Sequence, residues 1–435
     1  MGGRIQPVKG THDILPEEQG AWAAVRAAAE AILPRYGYRE IATPMFERAE
    51  LFERSVGVAT DIVEKEMYTF SDSKGRRIAL RPEGTAGVVR ACIHHGRLRA
   101  HPLDKLYYLG PMFRRERPQK GRYRQFHQLG VEAIGEAAAT LDVEVIALLA
   151  RLLDACGITR VTLELNSVGC PACRPAYREA LVAALAPHRA ELCPDCQRRL
   201  ETNPLRLLDC KVPTCGEVTA AAPRLLDHLC EGCRDHQGRV EAGLEALGIP
   251  FTVNPRLVRG LDYYTRTAFE AIAEGLGAQA AVAAGGRYDG LVAELGGPPT
   301  PAVGFAIGFT PTEIALRELG LPPEADLADL RAAARPRVWC VAITEDDRLP
   351  ALALAGELRR AGLGPVGLDS RGRSPRAQFQ EAARAGARHV VVLGPDERAA
   401  GQVVLRDMAD RREERVPRDE ILGRLAAAGR APAGE

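Results

Sequence analysis

The sequence predicts an α+β chain: a strand-rich core interrupted by a mostly helical insertion, followed by a smaller α/β unit. Three observations carry that reading. Two strand-like runs, LYYLGPMF and QFHQLGVEAIG, flank a turn crowded with arginine between Phe113 and Glu132, as the arms of an antiparallel pair would. Eight of the eleven cysteines fall between Cys170 and Cys233, in a segment of helical patterning (about 169–250) with β-rich sequence on either side. From 337 to 427, strand-like and helix-like stretches alternate, the pattern of a small domain built on a mainly parallel sheet.

The first elements are a loop around Lys9–Asp13 and a helix over about 17–34, where Trp22, Val25, Ala29 and Ile32 recur at helical spacing. YGYREIATPMFERAELF then alternates like a strand and breaks at Pro44. IALRPEGTAGVVRACIHHG reads as a strand that turns at Arg81-Pro82-Glu83-Gly84 into a helix capped by Thr85. After the arginine-rich hairpin comes a helix over about 139–155, then the strand VTLELNSVG with Val161, Leu163 and Leu165 alternating. Beyond the insertion, FTVNPRLVRGLDYYTRTAFEAIAE resumes β character. A glycine-rich return, AAVAAGGRYDGLVAELGG, leads to AVGFAIGFTPTEIALREL, which passes from strand to helix. Residues 326–336 have the composition of a linker. The expected domains are therefore a core over 1–325, interrupted by the insertion at 169–250, and a second unit over 337–427.

At 435 residues and 46% apolar content the chain has material for more than one core. Its 58 basic and 57 acidic residues nearly cancel, so contact with nucleic acid must come from local patches rather than a global field. No apolar run approaches the ~18–20 residues of a membrane span, and no charged-then-apolar leader opens the chain. A soluble, cytoplasmic protein with no membrane contact is expected, its cysteines reduced rather than bridged.

The strongest local patch is the hairpin itself. Arg114, Arg115, Arg117, Lys120, Arg122 and Arg124 surround Glu116, and Phe126, Gln128 and Glu132 follow on the return strand. Guanidinium groups suit a polyanion held over a sheet, while carboxylates and amides suit a small polar substrate on its floor. A merely solvated hairpin competes with this reading, but Glu116, Gln128 and Glu132 sit among apolar neighbours.

The segment FRRERPQKGRYRQFHQ resembles motif 2 of the class II aminoacyl-tRNA synthetases. KGTHDILP, LRPEGTAG, VRGLDYYTRTAFE and GGRYDGL resemble, in this order, segments of the histidyl-tRNA synthetase family, and the likeness runs over nearly the whole chain. It implies a class II antiparallel sheet core with flanking helices and a C-terminal anticodon-binding-like domain. It also implies a homodimer with the Pro44 segment in its interface. The implied activity is ligation of L-histidine to tRNA through a histidyl-adenylate, with ATP as substrate and Mg²⁺ on its phosphates. By this resemblance Arg114 and Arg259 are catalytic cations at the α-phosphate, Glu116 reads the adenine amino group, and Phe126 stacks on the base. Histidine is implied to lie among Glu83, Gly84, Thr85, Gln128, Glu132, Arg259, Tyr263, Tyr264 and Tyr288. The insertion is implied to meet the tRNA acceptor arm, and Arg371, Arg373 and Arg376 to serve tRNA phosphates in the C-terminal unit.

The cysteines form four close-spaced pairs: Cys170/Cys173, Cys193/Cys196, Cys210/Cys215 and Cys230/Cys233. Such knuckles fit tetrahedral thiolate sites, and eight ligands are enough for two structural Zn²⁺ ions; reduced buried thiols are the competing reading.

One segment departs from the family pattern. The third class II motif places an arginine behind the nucleotide, and here Pro311 stands at that position, preceded by Thr310. Thr310-Pro311-Thr312-Glu313 is a sound helix start, so the departure bears on function rather than fold. Arg317, six positions on, points about 240° away around the helix. Weakened ATP binding is expected, not loss of adenylation. A histidine-sensing relative such as the regulatory subunit of ATP phosphoribosyltransferase, a specialised synthetase paralogue, and a tRNA-binding module without chemistry are the alternatives. The C-terminal domain and the intact Arg259-Gly260-Leu261-Asp262-Tyr263-Tyr264 run favour the ligase.

Overall fold

The computed structural model describes residues 4–310, 312, 314 and 338–428, except 17, 58–59, 117–121, 274–280, 362, 364–365 and 370–371. Arg117, Lys120, Pro311, Glu313, Arg317, Arg371 and the linker expected at 326–336 lie outside the described residues. The chain divides into two compact units, 1–323 and 324–435.

The first unit contains β1 (Arg39–Glu40), β2 (Phe46–Arg48), β3 (Thr69–Ser71), β4 (Arg77–Leu80), β5 (Asp104–Phe113) and β6 (Gln125–Ile134). It continues with β7 (Val161–Ser167), β8 (Thr252–Val253), β9 (Thr265–Ala273), β10 (Ala281–Arg287) and β11 (Ala302–Gly308). Eight of these form one sheet in the order β1-β5-β6-β11-β10-β9-β7-β8, and β2, β4 and β3 form a small separate one. The large sheet is antiparallel except at its two edges, where β1 pairs with β5 and β7 with β8 in parallel.

The alternation read from sequence sets the two faces of the sheet. Leu129, Val131 and Ala133 of β6, Phe305 and Ile307 of β11, and Phe269 and Ala271 of β9 are buried in one cluster with the helix Ala139–Ala155. On the opposite face the residues are small. Gly130 of β6 lies opposite Ala306, Ala306 opposite Ala284, and Ala284 opposite Glu270. Two residues along, Glu132, Gly304, Gly286 and Ala268 form the next rung. This leaves a floor with few side chains, on which Glu132, Gln128 and Glu270 stand out. Gly304 is obligatory there: a Cβ would fall 2.1 Å from Glu132 Oε2 and 2.4 Å from the Val131 carbonyl oxygen.

Two local expectations are corrected. The strand predicted to run through FERAELF ends at Arg48, and Ala49–Val56 is a helix. Ala49, Phe52 and Val56 recur at helical rather than strand spacing and are buried together. Thr85 does not cap the helix Thr85–His94 but is its first residue. The Glu83 carboxylate performs the capping, accepting the Thr85 N–H at 2.7 Å and the Ala86 N–H at 3.0 Å. The insertion is helical, over Arg174–Leu185, Pro194–Thr202, Pro213–Val218 and Glu231–Ala246.

The second unit holds β12 (Val338–Ala342), β13 (Val366–Leu368), β14 (His389–Leu393), β15 (Gln402–Asp407) and β16 (Glu413–Pro417), in the order β13-β12-β14-β15-β16. Its first two pairings are parallel and its last two antiparallel, so the sheet is mixed rather than mainly parallel. The C-terminal hairpin of β15 and β16 accounts for the difference. Arg373 pairs with Asp369 and, at 3.1 Å, with Glu381. It is therefore held by two carboxylates of its own unit, whereas Arg376 is exposed.

Candidate active site

A cavity of about 520 Å³ opens over the bare floor of the large sheet. Arg114 and Glu116 reach it from just beyond β5, Phe126 and Gln128 from β6, and Glu270 from β9. Arg259 enters from the segment before β9, and Arg206, Asp209 and Lys211 enter from the insertion.

Each cation is held by the surrounding chain. Arg114 Nε donates to the Pro82 carbonyl at 2.9 Å, and its guanidinium lies 5.2 Å from the centre of the Phe126 ring. Glu116 accepts from Arg122 at 3.2 Å and lies 3.9 Å from Arg114. Arg259 pairs with Glu270 and lies 5.8 Å from the Tyr264 ring. Arg259 Nε and Gln128 Oε1 are buried polar atoms with no partner among the described residues. Buried polar groups in folded proteins are nearly always paired, so two orphans on one cavity mark it as a place where a polar ligand completes the bonding.

Deeper in the same unit is a closed polar knot. Thr85 Oγ1 donates to Glu132 Oε1 at 2.6 Å, and the Tyr288 hydroxyl donates to Glu132 Oε2. Glu132 is 1% exposed, and burial pushes its carboxyl up to about 8 despite those two donors. Burial also raises Glu83, against the opposing pull of its two backbone N–H bonds. The Tyr263 ring packs 4.7 Å from Tyr264 and 5.7 Å from Tyr288.

The structure thus separates the candidate residues. Arg114, Glu116, Phe126, Gln128 and Arg259 line the cavity. Glu83, Thr85, Glu132, Tyr263 and Tyr288 are not part of its lining, and Tyr264 lines a neighbouring cleft that shares Arg259 with it. Gly84 belongs to the knot through its fit. A Cβ there would fall 2.3 Å from the buried Tyr108 ring, and one on Gly130 only 1.9 Å from it.

Tyr108 and Glu270 were not singled out by sequence reasoning. Tyr108 lies opposite Gly130 in the β5–β6 register, a signal that emerges only once the pairing is known. A further network went unread. Arg287, fully buried, donates through Nε to both carboxylate oxygens of Asp142 at 3.1 Å. His236 of the last insertion helix lies 3.2 Å from the same Asp142. Arg81, also buried, donates to the Pro111 carbonyl at 2.8 Å and the Thr43 carbonyl at 3.0 Å, tying the turn before Glu83 to β5. The eight insertion cysteines gather into two groups of four that could each hold a metal ion.

Comparison with known proteins gives one answer along the chain. The family model for histidyl-tRNA synthetase matches residues 10–311, and that for the anticodon binding domain matches 338–428. The chain is 52% identical over 425 residues to the histidine–tRNA ligase of Anaeromyxobacter dehalogenans, covering 97% of this chain and 100% of that one. It is 48% identical over 412 residues to that of Trichlorobacter lovleyi, covering 95% and 96%. The crystal structure of apo S. aureus histidyl-tRNA synthetase superposes with a TM-score of 0.79 at 36% identity, over 97% of this chain and 100% of the other. A Bacillus halodurans structure described as an ATP phosphoribosyltransferase regulatory subunit/histidyl-tRNA synthetase shares the fold, at TM-score 0.63 and 23% identity, over 91% of this chain and 99% of that one. From motif 2 to the C-terminal unit, this chain belongs to the histidyl-tRNA synthetase family.

Proposed function

We propose that this chain joins L-histidine to its tRNA through a histidyl-adenylate formed from ATP. One observation carries the reading: in a member of this family, Arg114 and Arg259 line a single cavity together with Phe126 and a Gln128 carbonyl that has no partner among the described residues. Activation brings the histidine carboxylate to the α-phosphate and expels pyrophosphate. Two anions must approach while charge builds on the phosphoryl oxygens, so positive charge and positioning are what the protein has to supply.

In this reading Arg114 and Arg259 grip the α-phosphate and the carboxylate, the planar fork of each guanidinium matching a pair of oxygens. Phe126 stacks on the adenine and Glu116 accepts from its amino group. Gln128, Glu132, Glu83 and Thr85 receive the ammonium of histidine, with Gly84 letting the Tyr108 ring pack beside them. Tyr263, Tyr264 and Tyr288 surround the imidazole. Carboxylates of Glu66 and Asp209 also line the cavity, oxygen donors of the kind a phosphate-bound Mg²⁺ accepts; Mg²⁺ would neutralise phosphate charge there.

The C-terminal unit reads the tRNA anticodon, and the insertion meets the acceptor arm. The chain acts in the cytoplasm as a homodimer. Support for the dimer comes from Met45, Phe46 and Phe70, 50%, 60% and 49% exposed beside the Pro44 segment on the small sheet. A sensor without chemistry is not favoured, because full-length relatives at about half identity are ligases, whereas the regulatory-subunit likeness extends to the fold alone.

The test is histidine-dependent exchange of labelled pyrophosphate into ATP, followed by charging of tRNA. Both reactions are expected. Histidine binding without exchange would favour the sensor, and exchange without charging a specialised paralogue.

A further inference from the structure

We propose that the insertion is a two-zinc module whose cysteine pairs close in nested order. Four pairs can be grouped into two sites in three ways, and spacing alone does not choose among them. In the folded chain the first pair meets the last, joining Cys170, Cys173, Cys230 and Cys233. The second meets the third, joining Cys193, Cys196, Cys210 and Cys215. Within each group all four sulfurs lie within 4.8 Å of one another.

The distances fit a single tetrahedral ion, and the redox-inactive Zn²⁺ suits a structural role. Cys170 and Cys173 Sγ are 3.7 Å apart, Cys170 and Cys230 3.8 Å, and Cys173 and Cys233 3.9 Å. In the second group Cys193 and Cys210 Sγ are 3.9 Å apart. Four thiolates around one Zn²⁺ at about 2.3 Å define a tetrahedron with edges of about 3.8 Å. A disulfide needs sulfurs about 2.0 Å apart. An iron–sulfur cluster needs its ligand sulfurs spread around a body of several atoms rather than around a single ion. Backbone donors suit the charged form: the Cys170 N–H lies 3.1 Å from Cys173 Sγ, and the Cys193 N–H 3.2 Å from Cys215 Sγ.

Nesting gives each ion a different task. The outer site closes the whole loop from Cys170 to Cys233, where loop-closing constraints act most strongly on the unfolded chain. Arg174, next to Cys173, donates to the Val168 carbonyl at 2.8 Å and to the Tyr264 carbonyl. The inner site braces the cavity wall. Cys210 lies in that wall between Asp209 and Lys211, and Arg199, three residues after Cys196, pairs with Asp61 on the same wall. The metal assignment stands apart from the ligase reading; only the effect of the inner ion on ATP rests on it.

The full-length chain, expressed with zinc and purified without chelator, is expected to carry two zinc ions by plasma emission spectrometry. Exchanged with Co²⁺, it should show the intense absorption of tetrahedral thiolate coordination, at two ions per chain. Replacing Cys170, Cys173, Cys230 and Cys233 together by Ser should leave one ion, as should replacing Cys193, Cys196, Cys210 and Cys215 together. Eight freely reactive thiols with no bound metal in the unaltered chain, or acid-labile sulfide, would overturn the proposal. So would loss of both ions from either quadruple variant whose circular dichroism is unchanged, because any other grouping of the pairs destroys both sites. Loss of the inner ion alone should raise KM for ATP severalfold, and an unchanged KM would overturn the bracing role.

Discussion

Glu270 of β9 pairs with Arg259 inside the wall of the cavity, leaving Arg259 Nε buried and without a partner among the described residues. The carboxylate fixes where the guanidinium points, and the remaining N–H groups are aimed by that constraint. Glu270 is thus a positioning residue. Glu270→Ala should lower kcat for histidine-dependent pyrophosphate exchange by about 10²-fold, the usual cost of a reacting group misplaced by an ångström. Glu270→Asp, which keeps the charge, should recover part of the rate. Equal losses in both variants, with unfolding temperature falling in parallel, would mean that Glu270 only holds the fold.

Glu132 should make histidine binding depend on pH. Its carboxyl, raised by burial to about 8, is largely protonated at neutrality in the free protein, yet the ammonium that the proposed reading brings to it needs it ionised. Affinity for histidine should therefore rise as pH increases toward about 8 and then level off, once the titration of free histidine is subtracted. Glu132→Gln should bind more weakly and lose this slope. The stability effect has the opposite sense. A carboxyl raised on folding contributes fully below its unfolded pKa of about 4.3, and its contribution is lost as pH rises through the folded value of about 8. Glu132→Gln should accordingly gain on the parent chain across that window in calorimetric scans of the unliganded proteins.

Much of this architecture is legible in sequence because its signals are local. The β5–β6 hairpin announces itself by two alternating runs around an arginine turn, and the helix Ala139–Ala155 by uninterrupted helical spacing. What escapes is information that sits in partners far along the chain. Glu270 has meaning only beside Arg259, Tyr108 only beside Gly84 and Gly130, and each cysteine pair only beside its mate. The helix Ala49–Val56 was missed for a different reason: ERAELF satisfies a period of two and a period of 3.6 about equally, and burial against Ile62 and Ala79 decides. Thr85 resembles a cap, but its hydroxyl is already committed to Glu132.

Asp142 ties the insertion to the core. Burial alone would raise its carboxyl, but hydrogen bonds from His236 and Arg287, with the charge of Arg287, outweigh burial and hold it below the usual carboxylate range. Asp142→Asn leaves the fully buried Arg287 with only the partly exposed Asp289, 3.0 Å away, as counter-charge and should cost about 3 kcal/mol of stability at neutral pH. A carboxyl depressed on folding contributes above its unfolded pKa, and that contribution fades as pH falls through the folded value. The gap between the two proteins in denaturant midpoint should therefore narrow under acid conditions. A gap that holds constant down to strongly acid pH would rule out the ionised pair as its source.

Pro311 offers a gain-of-function test. By the family pattern an arginine at this position holds the terminal phosphate, so restoring it should add a full positive charge there. The N–H groups of a helix start supply only a fraction of a charge. Pro311→Arg should lower KM for ATP by about tenfold, equivalent to about 1.4 kcal/mol of added phosphate binding. KM for histidine should stay the same, since the added charge addresses phosphate rather than the amino acid. The cost to the fold should be small, because arginine is a far better helix former than proline. Pyrophosphate exchange measured against both substrates checks this directly. If KM for ATP is unmoved while the helix remains intact by circular dichroism, another group already holds the terminal phosphate. Lys211 and Arg206, which the insertion brings to the same cavity, would then be the residues to replace.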